Sequence, residues 1–201
     1  GGIVVIFIAG LPMRWFVGAG AAMMVIAPLG FFFGLREYQL NRVLVFLNPE
    51  EDPLGTGYHI SQSKIAIGSG GFFGKGFMNG TQSHLDYLPE GHTDFVFATM
   101  AEEWGMAGGL FILFLFYLLI RWGLNVGLNS RSRYGKLVAI GLTATIFFYI
   151  MINLLMVMGL APVVGIPLPF ISHGGSSMLT IMICIGIIMS IERHPERRTF
   201  N

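Results

Sequence analysis

Phe95-Val-Phe-Ala-Thr-Met-Ala-Glu-Glu-Trp-Gly-Met-Ala-Gly-Gly-Leu-Phe-Ile-Leu-Phe-Leu-Phe-Tyr-Leu-Leu-Ile-Arg121 carries no charge between Glu103 and Arg121. A bilayer core takes about 20 mostly apolar residues of helix, so this stretch predicts a membrane span over about 95–121. A polar segment, Leu88-Pro-Glu-Gly-His-Thr-Asp94, leads straight into it. One carboxylate, Asp94, therefore stands at the mouth of a span. Ionisable groups at membrane depth are costly and mark functional sites by default.

The surrounding chain has the same character. Of its 201 residues, 54% are hydrophobic and 11% charged, against about 25% charged in a soluble domain. A net charge of +1 gives no reason to expect nucleic acid as a partner. Further spans are predicted at about 1–11 (truncated), 15–35, 136–159 and 176–191. The chain opens on Gly-Gly with no initiator Met and no basic n-region, so no signal peptide is read; the opening is expected to lie inside a span of a longer protein. The single cysteine, Cys184, lies in an apolar run and rules out an intrachain disulfide.

Charge placement sets the expected orientation. Arg121, Arg131, Arg133 and Lys136 cluster in the predicted 121–136 loop, Arg193, Arg197 and Arg198 at the C-terminus, and Arg14 after the first span. The positive-inside rule puts all three on the cytoplasmic side. The segment 36–93 and the turn 160–175 are then extracytoplasmic. Nine of the eleven carboxylates fall between Glu37 and Glu103. Within the long loop, Asn41–Leu47 has apolar residues at helical spacing and reads as an interfacial helix. His59–Ile67 reads as another short helix, and Ser69–Gly76 as a flexible hairpin suited to the headgroup region. The fold expected is an all-α polytopic membrane protein of about five transmembrane helices, the first truncated, with a large extracytoplasmic loop.

Each candidate site residue has a plain structural alternative. The glycines of 69–76 do not match a nucleotide-binding P-loop, because Ser69 and Gly76 stand where that motif needs Gly and Ser or Thr. A turn-forming cluster is the simpler reading, with backbone N–H groups and Lys75 as a possible pyrophosphate cradle. Thr93 or Asp94 reads as the N-cap of the helix beginning at Phe95. That position also suits a base, since the helix's positive end and His92 would favour an ionised carboxylate. At 100° per residue, Glu102 is turned from Asp94 by about 80° and Glu103 by about 180°, so the two glutamates do not share its face. Gly165–Ser177 contains Pro167, Pro169, Gly174 and Gly175, which forbid a regular helix; it reads either as a helix hairpin or as the re-entrant lip of a cavity. His59, His84, His92 and His173 show no metal-ligand spacing.

Taken together, Asp52–Gly71, Gly74-Lys-Gly76, Gly80-Thr-Gln-Ser83, Leu88-Pro-Glu90, His92-Thr-Asp-Phe95, Ala101-Glu-Glu103, Pro167-Leu-Pro169, Ser172 and Gly174-Gly-Ser176 carry a resemblance to the SEDS family (shape, elongation, division and sporulation proteins). The resemblance covers the whole chain as one membrane domain, 1–201, and implies the C-terminal half of a ten-helix fold. Gly80-Thr-Gln-Ser83 is typical of the elongation branch, which acts in cell shape. Division-branch sequences often carry Thr-Lys where Val163-Val164 stands; the division and sporulation branches are the alternatives.

The resemblance implies a peptidoglycan glycosyltransferase that polymerises lipid II on the outer face of the cytoplasmic membrane during cell elongation. It further implies a divalent cation (Mg2+ or Mn2+), a class B penicillin-binding protein as transpeptidase partner, and the elongation machinery around both. The family's essential aspartate matches Asp94. The 4-hydroxyl of one sugar must attack C1 of another, which bears undecaprenyl pyrophosphate, and Asp94 is the expected general base. Lys64 and Lys75, or the cation, would neutralise the leaving group. His92, Thr93, Ser172, Gly174, Gly175 and Ser176 are expected to bind substrate. Metal ligands are not assigned. The rival class is a lipid II flippase, which needs polar groups through the depth of the bilayer; here they concentrate on one side. The chain alone is expected to be inactive without the N-terminal half.

Overall fold

A computed structural model describes residues 2–33, Val45, 56–77, 79–80, 91 and 93–193. Among these residues it is all helical: α1 (Gly2–Ile8), α2 (Met13–Phe33), α3 (Thr56–Ser69), α4 (Val96–Asn129), α5 (Arg133–Val157) and α6 (Gly175–Arg193). Helices α4, α5 and α6 are each long and apolar enough to cross a membrane. Helix α2, with 21 residues, is about 30 Å long at 1.5 Å per residue and has the length of a span. Apart from Phe16, which packs on Phe7, its described side chains, Trp15, Met23 and Met24 among them, are exposed, as suits a lipid-facing surface. The expected interfacial helix 41–47 lies outside the described residues, save Val45. The expected short helix at 59–67 is α3 and is longer at both ends.

The most extensive packing is between α4 and α5, and it corrects one expected boundary. The loop expected over 121–136 shrinks to Ser130–Ser132, because α4 continues to Asn129 and α5 begins at Arg133. Arg121 is thus helical. The apolar run ends at Ile120, but close packing carries the helix on. A Cβ at Gly123 would collide with Thr143 Oγ1, and one at Gly127 would come within 2.5 Å of Ile140 Cγ1. Small residues one turn apart let two helices approach closely, the commonest solution where lipid removes the hydrophobic drive for association. Ser132 caps α5, its hydroxyl accepting from the Gly135 N–H at 3.2 Å.

The other end of α5 is closed by a Schellman motif. Gly159, at φ 67°, donates its N–H to Met156 O, and Leu160 donates to Leu155 O at 2.8 Å. The helix accordingly stops at Val157, two residues before the expected end. The chain then runs without regular helix to Gly175, as its prolines require. Leu168, almost fully buried, plugs this turn into the core formed by Phe95, Phe97, Ala98, Ile112, Ile146 and Ile181 with their neighbours.

Candidate active site

Two structures are built around the start of α4. The first surrounds a break in the helix. Gly105 has φ 68° and ψ −166°, far from helical values. A regular helix would bond the Met106 and Ala107 N–H groups to the Glu102 and Glu103 carbonyls. Here the turn after α3 takes over all four groups. Lys75 N–H donates to Glu102 O and Gly76 N–H to Glu103 O, both at 3.0 Å; Met106 N–H donates to Gly71 O at 2.9 Å and Ala107 N–H to Phe72 O at 3.1 Å. Helix breaks survive at membrane depth only when neighbouring protein satisfies the freed backbone. The approach leaves no room for side chains: a Cβ on Gly70, Gly74 or Gly105 would run into backbone of the opposite segment.

An ion pair closes the same junction. Lys75 Nζ lies 2.7 Å from Glu102 Oε1, and the Glu102 side chain has no solvent exposure while that of Lys75 keeps 28%. The hairpin expected to be flexible is therefore anchored by backbone bonds and a buried carboxylate. The pyrophosphate cradle expected from its backbone is also not available as drawn, because the N–H groups of Gly74, Lys75 and Gly76 are all engaged with carbonyls. Phe72, Phe73 and Phe77 on this turn are exposed.

The second structure holds Asp94. The N-cap of α4 is Phe95, with no side-chain capping bond, which corrects the expectation that Thr93 or Asp94 caps the helix. Residues 93–95 form a turn, and Thr99 Oγ1 reaches back to Gly91 O at 3.3 Å. Phe95 is buried against the ring of His59, centroids 6.1 Å apart. With the first helical turn fixed this way, Asp94 sits one residue before the N-cap Phe95 and two before the helix, half-buried.

Asn153 reaches this turn from α5. Its Nδ2 donates to the Asp94 carbonyl at 2.9 Å and to the Ile166 carbonyl at 2.7 Å. The Asn153 side chain is fully buried, and its Oδ1 has no hydrogen-bond partner among the described residues. Gly165, next to Ile166, lies so near that a Cβ there would stand 3.3 Å from Asp94 Oδ2. Asp94 is thus bracketed between its own helix and the start of the irregular turn. Sequence reasoning did not single out Asn153. Its signal was a lone amide in the run Ile150-Met-Ile-Asn-Leu-Leu-Met156, since polar side chains in spans usually hydrogen-bond across helices.

The other expected site residues divide. Lys64, on α3, lies with its Nζ and Cε against Gly159 just past the end of α5, while Ser63 Oγ donates to Val157 O at 2.7 Å and fixes α3 to that end. Thr93 is half-buried beside Asp94. Ser172 works inside the turn, its Oγ accepting from the Leu168 N–H at 2.7 Å. Gly174 packs tightly on Ser177, whose Oγ donates to Gly174 O at 2.8 Å. Gly175 and Ser176 open α6 and are exposed. Lys75 is joined to Glu102 rather than to Asp94. His92 lies outside the described residues. Among the described residues, no three His, Cys, Asp or Glu side chains converge as a metal site.

A carboxylate at the mouth of a membrane span, clamped against an irregular turn between two other spans, defines a polytopic membrane protein with a site at one end of its helices. The chain belongs to the FTSW_RODA_SPOVE family, whose model, described as "Cell cycle protein", matches residues 1–197. It is 48% identical over 195 residues to the peptidoglycan glycosyltransferase MrdB of Escherichia coli K12, covering 97% of this chain and 53% of that protein. The peptidoglycan glycosyltransferase RodA of Treponema pallidum is 47% identical over 157 residues, covering 78% of this chain and 36% of the relative. Stage V sporulation protein E of Bacillus subtilis is 42% identical over 197 residues, covering 96% and 52%. Among solved structures, one described as the structural coordination of polymerization and crosslinking by a peptidoglycan synthase complex superposes with a TM-score of 0.79 at 31% identity, over 97% of this chain and 53% of the other. The chain spans about half the length of the curated relatives it matches best among these.

Proposed function

We propose that this chain is the Asp94-bearing half of a peptidoglycan glycosyltransferase that polymerises lipid II during cell elongation. The observation that carries the reading is the bracketing of the Asp94 carboxylate by Gly165 and the Asn153-held backbone at a span's end. Relatives named as peptidoglycan glycosyltransferases support it. In the reaction, Asp94 accepts the proton of a sugar 4-hydroxyl as that oxygen attacks C1 of a second lipid-linked sugar. The C1–O bond to undecaprenyl pyrophosphate breaks, with inversion. General-base assistance of this kind contributes about 10²–10⁴-fold. In this reading Lys64, on α3 with its Nζ against Gly159, meets the anionic leaving group, and His92, Thr93, Ser172, Gly174, Gly175 and Ser176 bind substrate. Lys75 serves that path only if its bond to Glu102 yields.

In this reading the Asp94 end faces the extracytoplasmic side, with Arg131, Arg133 and Lys136 in the cytoplasm. The partner is a class B penicillin-binding protein, consistent with the complex to which the fold is similar. A divalent cation, Mg2+ or Mn2+, is part of the proposal for the whole protein. Among the described residues no cluster of His, Cys, Asp or Glu furnishes a ligand set for it.

The full-length protein in detergent, given fluorescent lipid II, is expected to produce a ladder of glycan strands that chelation abolishes and Mg2+ or Mn2+ restores. Detergent removes the compartments that transport needs. Movement of lipid II across vesicle membranes with no polymer in detergent would replace the enzyme with a flippase.

A further inference from the structure

We infer that Asn153 is a positioning residue for Asp94, acting through two backbone carbonyls rather than through substrate; this rests on the reading of Asp94 as the base. The side chain is fully buried in the last turns of α5, where apolar residues flank it on both sides. Both hydrogens of its amide nitrogen are engaged, one with Asp94 O at 2.9 Å and one with Ile166 O at 2.7 Å. The amide cannot be reversed, because Oδ1 would then face two carbonyl oxygens.

The bonds join two segments separated by 72 residues of chain at the point where they meet across the carboxylate, since Gly165 lies against Asp94 Oδ2. One side chain therefore sets the gap between the base and the turn that faces it. The cost of this arrangement is visible. Asn153 Oδ1 is buried with no partner among the described residues, an exception that calls for explanation in any protein interior. A leucine of similar volume would leave no such oxygen, but it would also release two carbonyls and uncouple Asp94 from the turn.

Misplacing a reacting group by about 1 Å costs on the order of 100-fold in rate. The full-length protein carrying Asn153→Ala is accordingly expected to lose about 10- to 100-fold in kcat, with KM for lipid II nearly unchanged. The acidic limb of its pH–rate profile should also move, because the surroundings of the base have changed. Asn153→Asp, which when protonated keeps one donor, should fall between the two. A purely structural role predicts instead lower yield and melting temperature with an unmoved pH limb in the protein that does fold. If Asn153→Ala destabilises too far for assay, Asn153→Ser supplies the same comparison. Wild-type kcat and an unmoved limb in these variants, beside an inactive Asp94→Asn, would overturn the inference alone. An active Asp94→Asn would overturn the reading on which it rests.

Discussion

The two ends of the short stretch Asp94–Ala107 are held by opposite means. At Gly105 a broken helix is repaired by four backbone hydrogen bonds from one turn, and an ion pair seals the junction. At Asp94 the backbone is held from α5 by one amide, whose oxygen has no partner among the described residues. The first arrangement gives each freed backbone group a partner, so it holds the α3 turn against α4 in a single geometry. The second tolerates an unsatisfied group, which is the pattern expected where geometry serves chemistry rather than stability. Substitutions near Gly105 should therefore be read mainly in stability, and substitutions near Asp94 mainly in rate.

The sharpest way to break this division is at Lys75. Replacing it with Met removes the cation 2.7 Å from a fully buried carboxylate. Removing one partner of a buried pair costs about 3–5 kcal/mol, so Lys75→Met should sharply lower the melting temperature and membrane abundance. Glu102→Gln should cost less, because the partly exposed Lys75 can turn to water. The double variant should recover much of the stability lost by Lys75→Met. Recovery of stability together with polymerase activity makes the pair structural; recovery of stability without activity assigns Lys75 a second task on the leaving group. Thermal melts and polymer yield on the same samples check this.

A smaller effect is expected at Gly105. Its backbone occupies a region open essentially to glycine alone, where other residues cost about 1–3 kcal/mol. A Cβ there would also stand 2.6 Å from Phe72 O. Gly105→Ala should lower the melting temperature while the folded fraction keeps its kcat. A loss of kcat with no change in melting would place the helix break inside the catalytic machinery and erase the contrast between the two regions.

How much of this was legible before the structure depends on range. The spans showed because an apolar run is a local property; α4 and α5 lie where composition put them, apart from their shared boundary. That boundary was misjudged because Gly123 and Gly127 act only through contact with Thr143 and Ile140. Asp94 stood out by its place at the end of a run. The capping expectation was drawn from residue preference at Thr93 and Asp94, and tertiary contacts at Phe95 and Gly91 overrode it. The break at Gly105 left no sign of its own, since a glycine within an apolar helix is ordinary, and its partner turn is some 30 residues away in the chain. Asn153 was readable as an anomaly, but what it holds was not.

Asp94→Asn in the purified full-length protein tests the central claim most directly. The substitution preserves volume and leaves the bond from Asn153 to the backbone carbonyl intact. With fluorescent lipid II and a melting temperature equal to wild type, the account predicts polymer formation reduced by about 100-fold or more. Wild-type polymer yield from that variant would contradict it.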